Sequence, residues 1–389
     1  MRRFFMIIGV CLVTVGCSPR PQNIPTTPGE ESSSSSRSSS FSSTASLKVS
    51  PLSAEDFTLE TIAEGLEVPW SIAFASENRI LVTERPGRLR LIENGILKLD
   101  PLLTFPEVSS QGEEGLMGIT LDPDYEDNHS FYVCLAYTTN QGMVLKVQRL
   151  TDEGNRAVVN RTIIDAIPAA RFHAGCAVAF GPDGKLYITA GDATERALAQ
   201  DLSSLAGKIF RINADGSIPE DNPFPDSPIW SYGHRNPQGI AWHPETGEMY
   251  ATEHGPSGFD GPGGGDEVNR IIRGGNYGWP IVSHERSAAG LIDPLKVYTP
   301  AEAPASAAFY NGEFFFGALR GEALWRIVFS EDDPDAILLA EEVPLPSLGR
   351  IRNVLAGQDG ALYFTTSNRD GRGSARKGDD KLLRLVPRK

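Results

Sequence analysis

The chain has 389 residues, of which 40% are hydrophobic and 22% are charged, and it contains 39 glycines and 28 prolines. A chain of this length can bury a large core, and its many turn-forming residues favour short strands over long helices. The formal net charge of −14 leaves no broad basic face, so nucleic acid is excluded as an expected partner. A neutral or small substrate is compatible with this charge, whereas an anionic ligand would need a local cluster of arginines.

The first residues are typical of an export signal. Arg2 and Arg3 precede an apolar run, Phe4–Val15, that is too short to span a bilayer as a helix and suits the core of a signal peptide. The segment that ends at Cys17 resembles a bacterial lipobox, although Thr14 stands where leucine is usual. We therefore expect residues 1–17 to be a signal peptide and the protein to be an exported lipoprotein, anchored to the membrane and facing the periplasm or the cell exterior. Cleavage without lipid attachment is the alternative.

Two further segments follow the signal. Residues 18–55 are rich in Ser, Pro and Thr, a composition that cannot bury enough apolar surface to fold and that predicts a disordered tether. Residues 56–389 are expected to form one folded domain. Of the four cysteines, only Cys134 and Cys176 lie in this domain, and in an oxidising compartment they form either a disulfide or two buried free thiols.

One pattern recurs throughout the folded domain: an apolar strand, a turn of Pro, Gly, Asp or Asn, and a strand rich in Tyr or Val. The turns recur roughly every 45 to 70 residues, which is the length of a four-stranded propeller blade with variable loops. The six copies are Ser71–Glu84, Gly118–Leu135, Arg171–Asp192, Gly239–Glu253, Ala307–Gly317 and Val354–Thr366. The sequence therefore predicts an all-β fold, a six-bladed β-propeller.

The third copy carries a candidate catalytic pair. His173 precedes its first strand and Asp192 follows its second strand, so the hairpin brings both to the end opposite the turn. A carboxylate beside an imidazole fixes the tautomer and stabilises the imidazolium, which makes the pair suitable as a general base. A histidine that only satisfies hydrogen bonds in a strand-end loop is the alternative.

Four arginines flank other copies of the repeat. A propeller gathers equivalent positions of its blades around one mouth, so these arginines are expected to converge there. They are Arg235, Arg320, Arg350 and Arg352. Each could simply be a solvated or loop-bracing residue, but together they predict a socket for a planar polyanionic ligand.

Four longer segments identify a family by resemblance. They are Gly233–Gly239 (GHRNPQG), Gly274–Pro280 (GGNYGWP), Gly207–Pro223 and Arg171–Asp192. Over residues 57–388 the chain resembles the soluble sugar dehydrogenases that depend on pyrroloquinoline quinone (PQQ), a family that includes glucose/sorbosone and aldose sugar dehydrogenases. This resemblance implies a propeller like that of soluble quinoprotein glucose dehydrogenase, with PQQ bound at its mouth.

The resemblance also implies roles for individual residues. At matching positions, His173 would be the general base, Asp192 the carboxylate that orients it, and Arg235 a catalytic residue that contacts the quinone. The other implied cofactor contacts are Glu113, Asn236, Arg320, Arg350 and Arg352. Several positions depart from the family pattern: Glu113 stands where one branch has a glutamine, Arg320 where a well-studied branch has a lysine, and Asn353 where an aspartate often follows. Cys176 and Ala177 stand where glycine and arginine are common, and the insertion Ser257–Gly264 lengthens the loop beside the proposed calcium.

Calcium is the second implied cofactor. Gly255 and Pro256 match residues whose backbone carbonyls bind a calcium ion beside the quinone, and Glu267 and Tyr277 match positions near a second, structural calcium. Hard oxygen ligands suit this ion. In the mechanism that the resemblance implies, His173 takes a proton from the anomeric hydroxyl of an aldose while hydride passes from C1 to the quinone. The product is a lactone, and an external electron acceptor must reoxidise the cofactor.

Two other classes of function remain open at this point. A propeller that binds carbohydrate or a partner protein without chemistry would keep the scaffold, but retention of His173, Asp192 and the arginines argues against it. A calcium-dependent lactonase on a similar propeller is the second alternative, and it would need acidic metal ligands more than a cluster of arginines.

Overall fold

The computed structural model describes residues 49–388, in which 25 strands form six antiparallel sheets. The chain enters the fold through β1 (Phe57–Glu64), which belongs to the last blade. Blade 1 contains β2 (Pro69–Ser76), β3 (Arg79–Glu84), β4 (Arg88–Glu93) and two short strands that pair with β4, namely β5 (Ile96–Leu97) and β6 (Leu103–Thr104). Blade 2 contains β7 (Leu116–Leu121), β8 (Ser130–Thr139), β9 (Gly142–Asp152) and β10 (Ala157–Pro168). Blade 3 contains β11 (Val178–Phe180), β12 (Leu186–Ala190), β13 (Lys208–Ile212) and β14 (Ile229–Tyr232).

The second half of the chain repeats this arrangement. Blade 4 contains β15 (Pro237–Trp242), β16 (Met249–Glu253), β17 (Asp266–Ile271) and β18 (Lys296–Tyr298). Blade 5 contains β19 (Pro304–Tyr310), β20 (Glu313–Ala318), β21 (Leu324–Phe329) and β22 (Ile337–Glu342). Blade 6 contains β23 (Ile351–Ala356), β24 (Leu362–Thr366), β25 (Lys381–Pro387) and β1. The helical segments of the described residues are α1 (Tyr125–Asn128) and a 3₁₀ turn, Arg196–Ala199, and no helix there is long and apolar enough to cross a membrane.

The six predicted repeats are the first two strands of the six blades, which confirms the six-bladed propeller. In the third repeat, Ala179 pairs with Tyr187 across a turn in which the amide of Gly184 donates to the carbonyl of Gly181 at 2.9 Å. Gly184 has a φ of +69°, a conformation that glycine adopts without steric cost. The first strand of each blade contacts the first strands of both neighbouring blades, so these six strands line a central channel.

The core lies between adjacent sheets, where large apolar side chains are excluded from water. One such side chain from each blade, taken in order, is Leu81, Phe131, Phe210, Tyr250, Phe316 and Phe364. Burying a side chain of this size stabilises the fold by about 2–3 kcal/mol. Cys134 in β8 and Cys176, which precedes β11, form a disulfide with their Cα atoms 5.8 Å apart. The disulfide hypothesis is therefore confirmed, and the bond joins blade 2 to blade 3.

The ring closes through strands from opposite ends of the described chain. In blade 6, β1 pairs with β25, with Phe57 opposite Pro387. Contacts with the propeller begin slightly before β1, because the amide of Leu52 donates to Oε1 of Glu341 at 3.1 Å. The predicted signal peptide and the lipidation site at Cys17 lie outside the described residues.

Candidate active site

The starts of the first strands and the ends of the second strands share one end of the propeller, because the two strands of each blade are antiparallel. His173 and Asp192 meet there, with Nδ1 of the imidazole 2.7 Å from Oδ1 of the carboxylate. Both residues are buried. The other oxygen of Asp192 accepts a hydrogen bond from the indole N–H of Trp279 at 2.8 Å. His173 has a φ of +57°, a strained conformation for a residue with a side chain, and its buried contacts hold it there.

Arg235 completes the immediate environment of the imidazole. Its Nη2 donates to Nε2 of His173 at 2.8 Å. A guanidinium has only donors, so Nε2 must accept, and Nδ1 must carry the proton that is donated to Asp192. The backbone supports this geometry because the amide of Asp192 donates to the carbonyl of Arg235 at 2.8 Å. The basic nitrogen of His173 therefore faces Arg235 and not the carboxylate.

A cavity of about 220 Å³ opens beside this pair and is lined by cationic side chains of blades 1 and 6. Arg350 is held in an ion pair, with its Nε donating to Oδ2 of Asp370 at 2.7 Å. Arg352 has no such partner among residues 49–388. Its Nη1 donates to the amide oxygen of Gln238 at 2.7 Å, and its guanidinium lies 4.5 Å from the ring centre of Trp70. A buried cation without a carboxylate partner favours an anionic ligand.

Other groups on the cavity wall also lack partners. Within residues 49–388, Nε1 of Trp70, Nε of Arg85 and Nε2 of His254 are buried without a hydrogen-bond partner, and all three residues line the cavity. Burial lowers the pKa of Arg352 to about 9 and also lowers the pKa of Arg85. This set of cations and free polar atoms suits a flat ligand that carries several carboxylates. Of the four arginines predicted to converge, only Arg350 and Arg352 line this cavity.

Glu113 borders the same cavity and is not an isolated negative charge. Its Oε1 forms an ion pair with Nη1 of Arg372 at 2.9 Å, and its Oε2 accepts a hydrogen bond from the amide of His173 at 3.1 Å. Burial works against the ionised form, but nearby His254 and Arg372 and the amide of His173 outweigh it and lower the pKa of Glu113. Arg372 thus supplies the pairing that a carboxylate beside an anionic ligand requires.

Comparison with known proteins identifies the family. The model of the Glucose / Sorbosone dehydrogenase family matches residues 66–384. This chain belongs to the glucose/sorbosone dehydrogenase family. The resemblance found in the sequence motifs is therefore confirmed.

Three proteins with similar sequences or structures cover most of the chain. Aldose sugar dehydrogenase YliI of Escherichia coli K12 is 31% identical over 362 residues, which are 85% of this chain and 93% of the relative. The putative oxidoreductase (glucose dehydrogenase) of Thermus thermophilus is 44% identical with a TM-score of 0.79, over 85% of this chain and all of that one. The PQQ-bound aldose sugar dehydrogenase of Streptomyces coelicolor is 34% identical with a TM-score of 0.77, over 86% and 99% of the two chains.

The structure places the two remaining predicted cofactor residues, Asn236 and Arg320, in different environments. Asn236 is buried, and its Oδ1 accepts hydrogen bonds from the amide of Gly175 and from Nε2 of Gln238, both at 3.0 Å. It therefore links the cavity floor to the loop that carries His173. The structure does not bring Arg320 to the cavity. Its side chain is exposed, and the neighbouring Leu319 lines the wall instead.

The predicted calcium residues lie together beside a second, smaller cavity. Gly255, Pro256, Glu267 and Tyr277 line it, and Glu253 is next to them. Burial and the nearby carboxylate of Glu253 raise the pKa of Glu267 to about 8, so a cation at this position would relieve the repulsion. The hydroxyl of Tyr277 is occupied by two backbone groups of blade 4, which leaves its carbonyl as the available ligand. Within the described residues no three His, Cys, Asp or Glu side chains form a metal cluster, and backbone ligands would give no such signature.

Several residues of the site were missed at the sequence level. They are Trp70, Arg85, Gln238, His254, Asp260, Trp279, Asp370 and Arg372. Trp70 and Gln238 begin first strands, whereas Arg85 and His254 follow second strands. The positional rule that selected His173 and Asp192 would therefore have found these four residues as well.

Proposed function

We propose that this protein oxidises aldose sugars at C1 to lactones with PQQ as its cofactor. The observation that carries this proposal is the position of the His173–Asp192 pair directly behind a cavity wall that contains Phe172 and Glu113. The same cavity holds Arg352, a buried cation for which residues 49–388 supply no carboxylate partner. The names of its relatives support it, because one solved relative is a PQQ-bound aldose sugar dehydrogenase. A proton acceptor next to an anion-binding cavity is what dehydrogenation with an anionic quinone requires.

The proton is handled by residues of the chain itself. Nε2 of His173 takes the proton of the anomeric hydroxyl, and for this step its hydrogen bond from Arg235 has to open. Asp192, which already holds Nδ1–H at 2.7 Å, stabilises the imidazolium that results. Trp279 fixes the second oxygen of Asp192, so the carboxylate keeps its orientation while the charge on the imidazole changes. Arg235, once released, can stabilise developing negative charge next to the base.

The cavity supplies the binding groups. Arg350, Arg352 and Arg85 line the cavity and would hold the carboxylates of the cofactor. Asn236 does not line it and would act by holding Gln238, which does. The chemistry that PQQ supplies when bound is the acceptance of two electrons with the hydride of C1, and an external acceptor then restores it. The carbonyls of Gly255 and Pro256 would hold a calcium ion that favours electron flow to the quinone.

Reconstitution of the apo-protein tests the proposal. Addition of PQQ and calcium should produce a bound-quinone absorbance that an aldose bleaches, and a redox dye should sustain turnover. His173→Ala should abolish dye-linked sugar oxidation while PQQ still binds, because the base does not hold the cofactor. His243→Ala is the matched control, since His243 lies in the turn between β15 and β16 at the opposite end of the propeller.

The outcomes separate the alternatives. Full activity of His173→Ala would remove the base assignment. No quinone spectrum with the intact protein would favour a binding module without chemistry, and hydrolysis of lactones without quinone would favour a lactonase. Export as a lipoprotein stays a prediction, and it is tested by radiolabelled lipid incorporation in cells that express Cys17→Ser and the unaltered chain.

A further inference from the structure

Asp260 is a buried carboxylate that reaches the active site from the glycine-rich loop between β16 and β17. Its Oδ2 accepts a hydrogen bond from Nε of Arg235 at 2.7 Å, and its Oδ1 accepts one from the amide of Ser257 at 2.9 Å. The loop is also fixed from blade 3, because Nη1 of Arg196 donates to the carbonyl of Asp260 at 3.0 Å. Asp260 is only 8% exposed, so its pairing with Arg235 is not a solvent-screened surface contact.

This pairing extends the catalytic pair into a chain of four groups. Asp192 binds Nδ1 of His173, Arg235 binds Nε2, and Asp260 binds the far side of Arg235. A guanidinium next to an imidazole disfavours the protonated ring, because two like charges would then lie in contact. The carboxylate of Asp260 offsets that repulsion and fixes the direction of the guanidinium plane.

We propose that Asp260 is a positioning residue that acts through Arg235: it orients the guanidinium towards the reaction centre and keeps its charge compatible with proton uptake by His173. This inference rests on the proposed function of His173 as base. It assigns a role to the glycine-rich loop. The loop turns Asp260 inwards, towards Arg235, while the neighbouring Phe259 is 67% exposed.

Several other ionisable groups face His173 and have to be held constant in a test. Asp192 and Glu113 contact it through a side-chain and a backbone hydrogen bond, and Arg372 lies behind Glu113. His254 lies near Glu113. None of these groups is changed by a substitution at Asp260, so a shift that follows this substitution reports on the Asp260–Arg235 pair.

The test uses Asp260→Asn, which keeps the shape of the side chain and removes its charge. In the apo-protein, the titration midpoint of the His173 imidazole, followed by nuclear magnetic resonance, should move to lower pH by about one unit, the size expected for one charge removed within several ångströms. In the PQQ-loaded protein the acid limb of the pH–rate profile should move in the same direction. The value of kcat should fall about tenfold or more as Arg235 loses its orientation, with less change in KM, and Asp260→Glu should restore part of both effects.

Asp370→Asn is the matched control, because Asp370 forms an equivalent 2.7 Å ion pair with Arg350 on the other side of the cavity. It should leave the titration midpoint of His173 unchanged. If Asp260→Asn does not fold, Asp260→Ser provides the same measurement. An unchanged or higher midpoint in the uncharged variant, or an equal shift in the Asp370 control, would overturn the proposal. The titration needs no cofactor, so it can fail or succeed independently of the proposed sugar oxidation.

Discussion

Arg352 should destabilise the protein in the absence of its ligand, and replacing it by methionine should reveal this. Burial lowers the pKa of Arg352 from 12.5 to about 9, which corresponds to about 5 kcal/mol for holding the charge in the folded state. Because the folded pKa lies below the unfolded one, this penalty is fully present at neutral pH and is relieved only as the pH rises through about 9. Methionine also loses the hydrogen bond to Gln238 and the contact with Trp70, about 3–4 kcal/mol together. Arg352→Met should therefore raise the stability of the apo-protein by about 1–2 kcal/mol.

Thermal or urea unfolding with and without PQQ measures this effect. The apo form of Arg352→Met should melt about 1–3 °C above the unaltered apo-protein. PQQ at a hundredfold excess over its Kd should stabilise the unaltered protein by about 2.7 kcal/mol and the variant hardly at all. The neighbouring Arg350→Met should act in the opposite direction and cost about 3 kcal/mol, because it leaves the buried carboxylate of Asp370 without its cation. If both variants destabilise the apo-protein equally, or if Arg352→Met still binds PQQ, the reasoning is refuted.

Two further predictions follow from contacts of the base. Asp192→Asn should lower kcat about 10³- to 10⁴-fold with PQQ affinity unchanged, because an amide no longer enforces the tautomer that leaves Nε2 of His173 basic; retained turnover in stopped-flow assays would contradict this. The double variant Cys134→Ala/Cys176→Ala should lose about 4 kcal/mol of stability, since the bond closes a loop with a sequence separation of 42. Chemical unfolding measures that loss, and alkylation of two thiols in the unreduced, denatured protein would show that the bond does not form.

The inner hairpins could be predicted from the sequence because their turns and strands are determined locally. Gly184 shows this, since its position in the sequence already requires a turn of positive φ. The outer strands carry a weaker signal: β5 and β6 have two residues each and depend on pairing with β4. The pairing of β1 with β25 could not be predicted from either segment alone. Each strand finds its backbone hydrogen-bond partners at the opposite end of the domain.

Site residues could be predicted where their position within the repeat decides whether the side chain reaches the site. His173 and Asp192 flank strands of known direction, and Arg352 lies near the start of another, so their placement at one end of the propeller followed from the fold. Arg320 obeys the same rule, but the turn after β20 directs it to solvent and leaves Leu319 on the wall. Asp260 had no signal of this kind, because the conformation of a glycine-rich loop is set by tertiary contacts such as the one with Arg235.

The closure of the ring by β1 and β25 also makes the arginine-lined cavity depend on both ends of the domain. Glu60 and Arg384, which pair across this closure, are 324 residues apart. The contact can form only after both ends of the domain have been synthesised, and its formation costs the conformational entropy of closing a long loop. Arg352 belongs to the sheet that this contact completes, and Arg350 directly precedes its strand β23. A chain interrupted during synthesis, or trimmed by a protease at either end of the domain, would lose an outer strand of the blade that carries the arginines we propose for cofactor binding. We therefore expect such a fragment to be unable to bind the proposed cofactor and to be inactive.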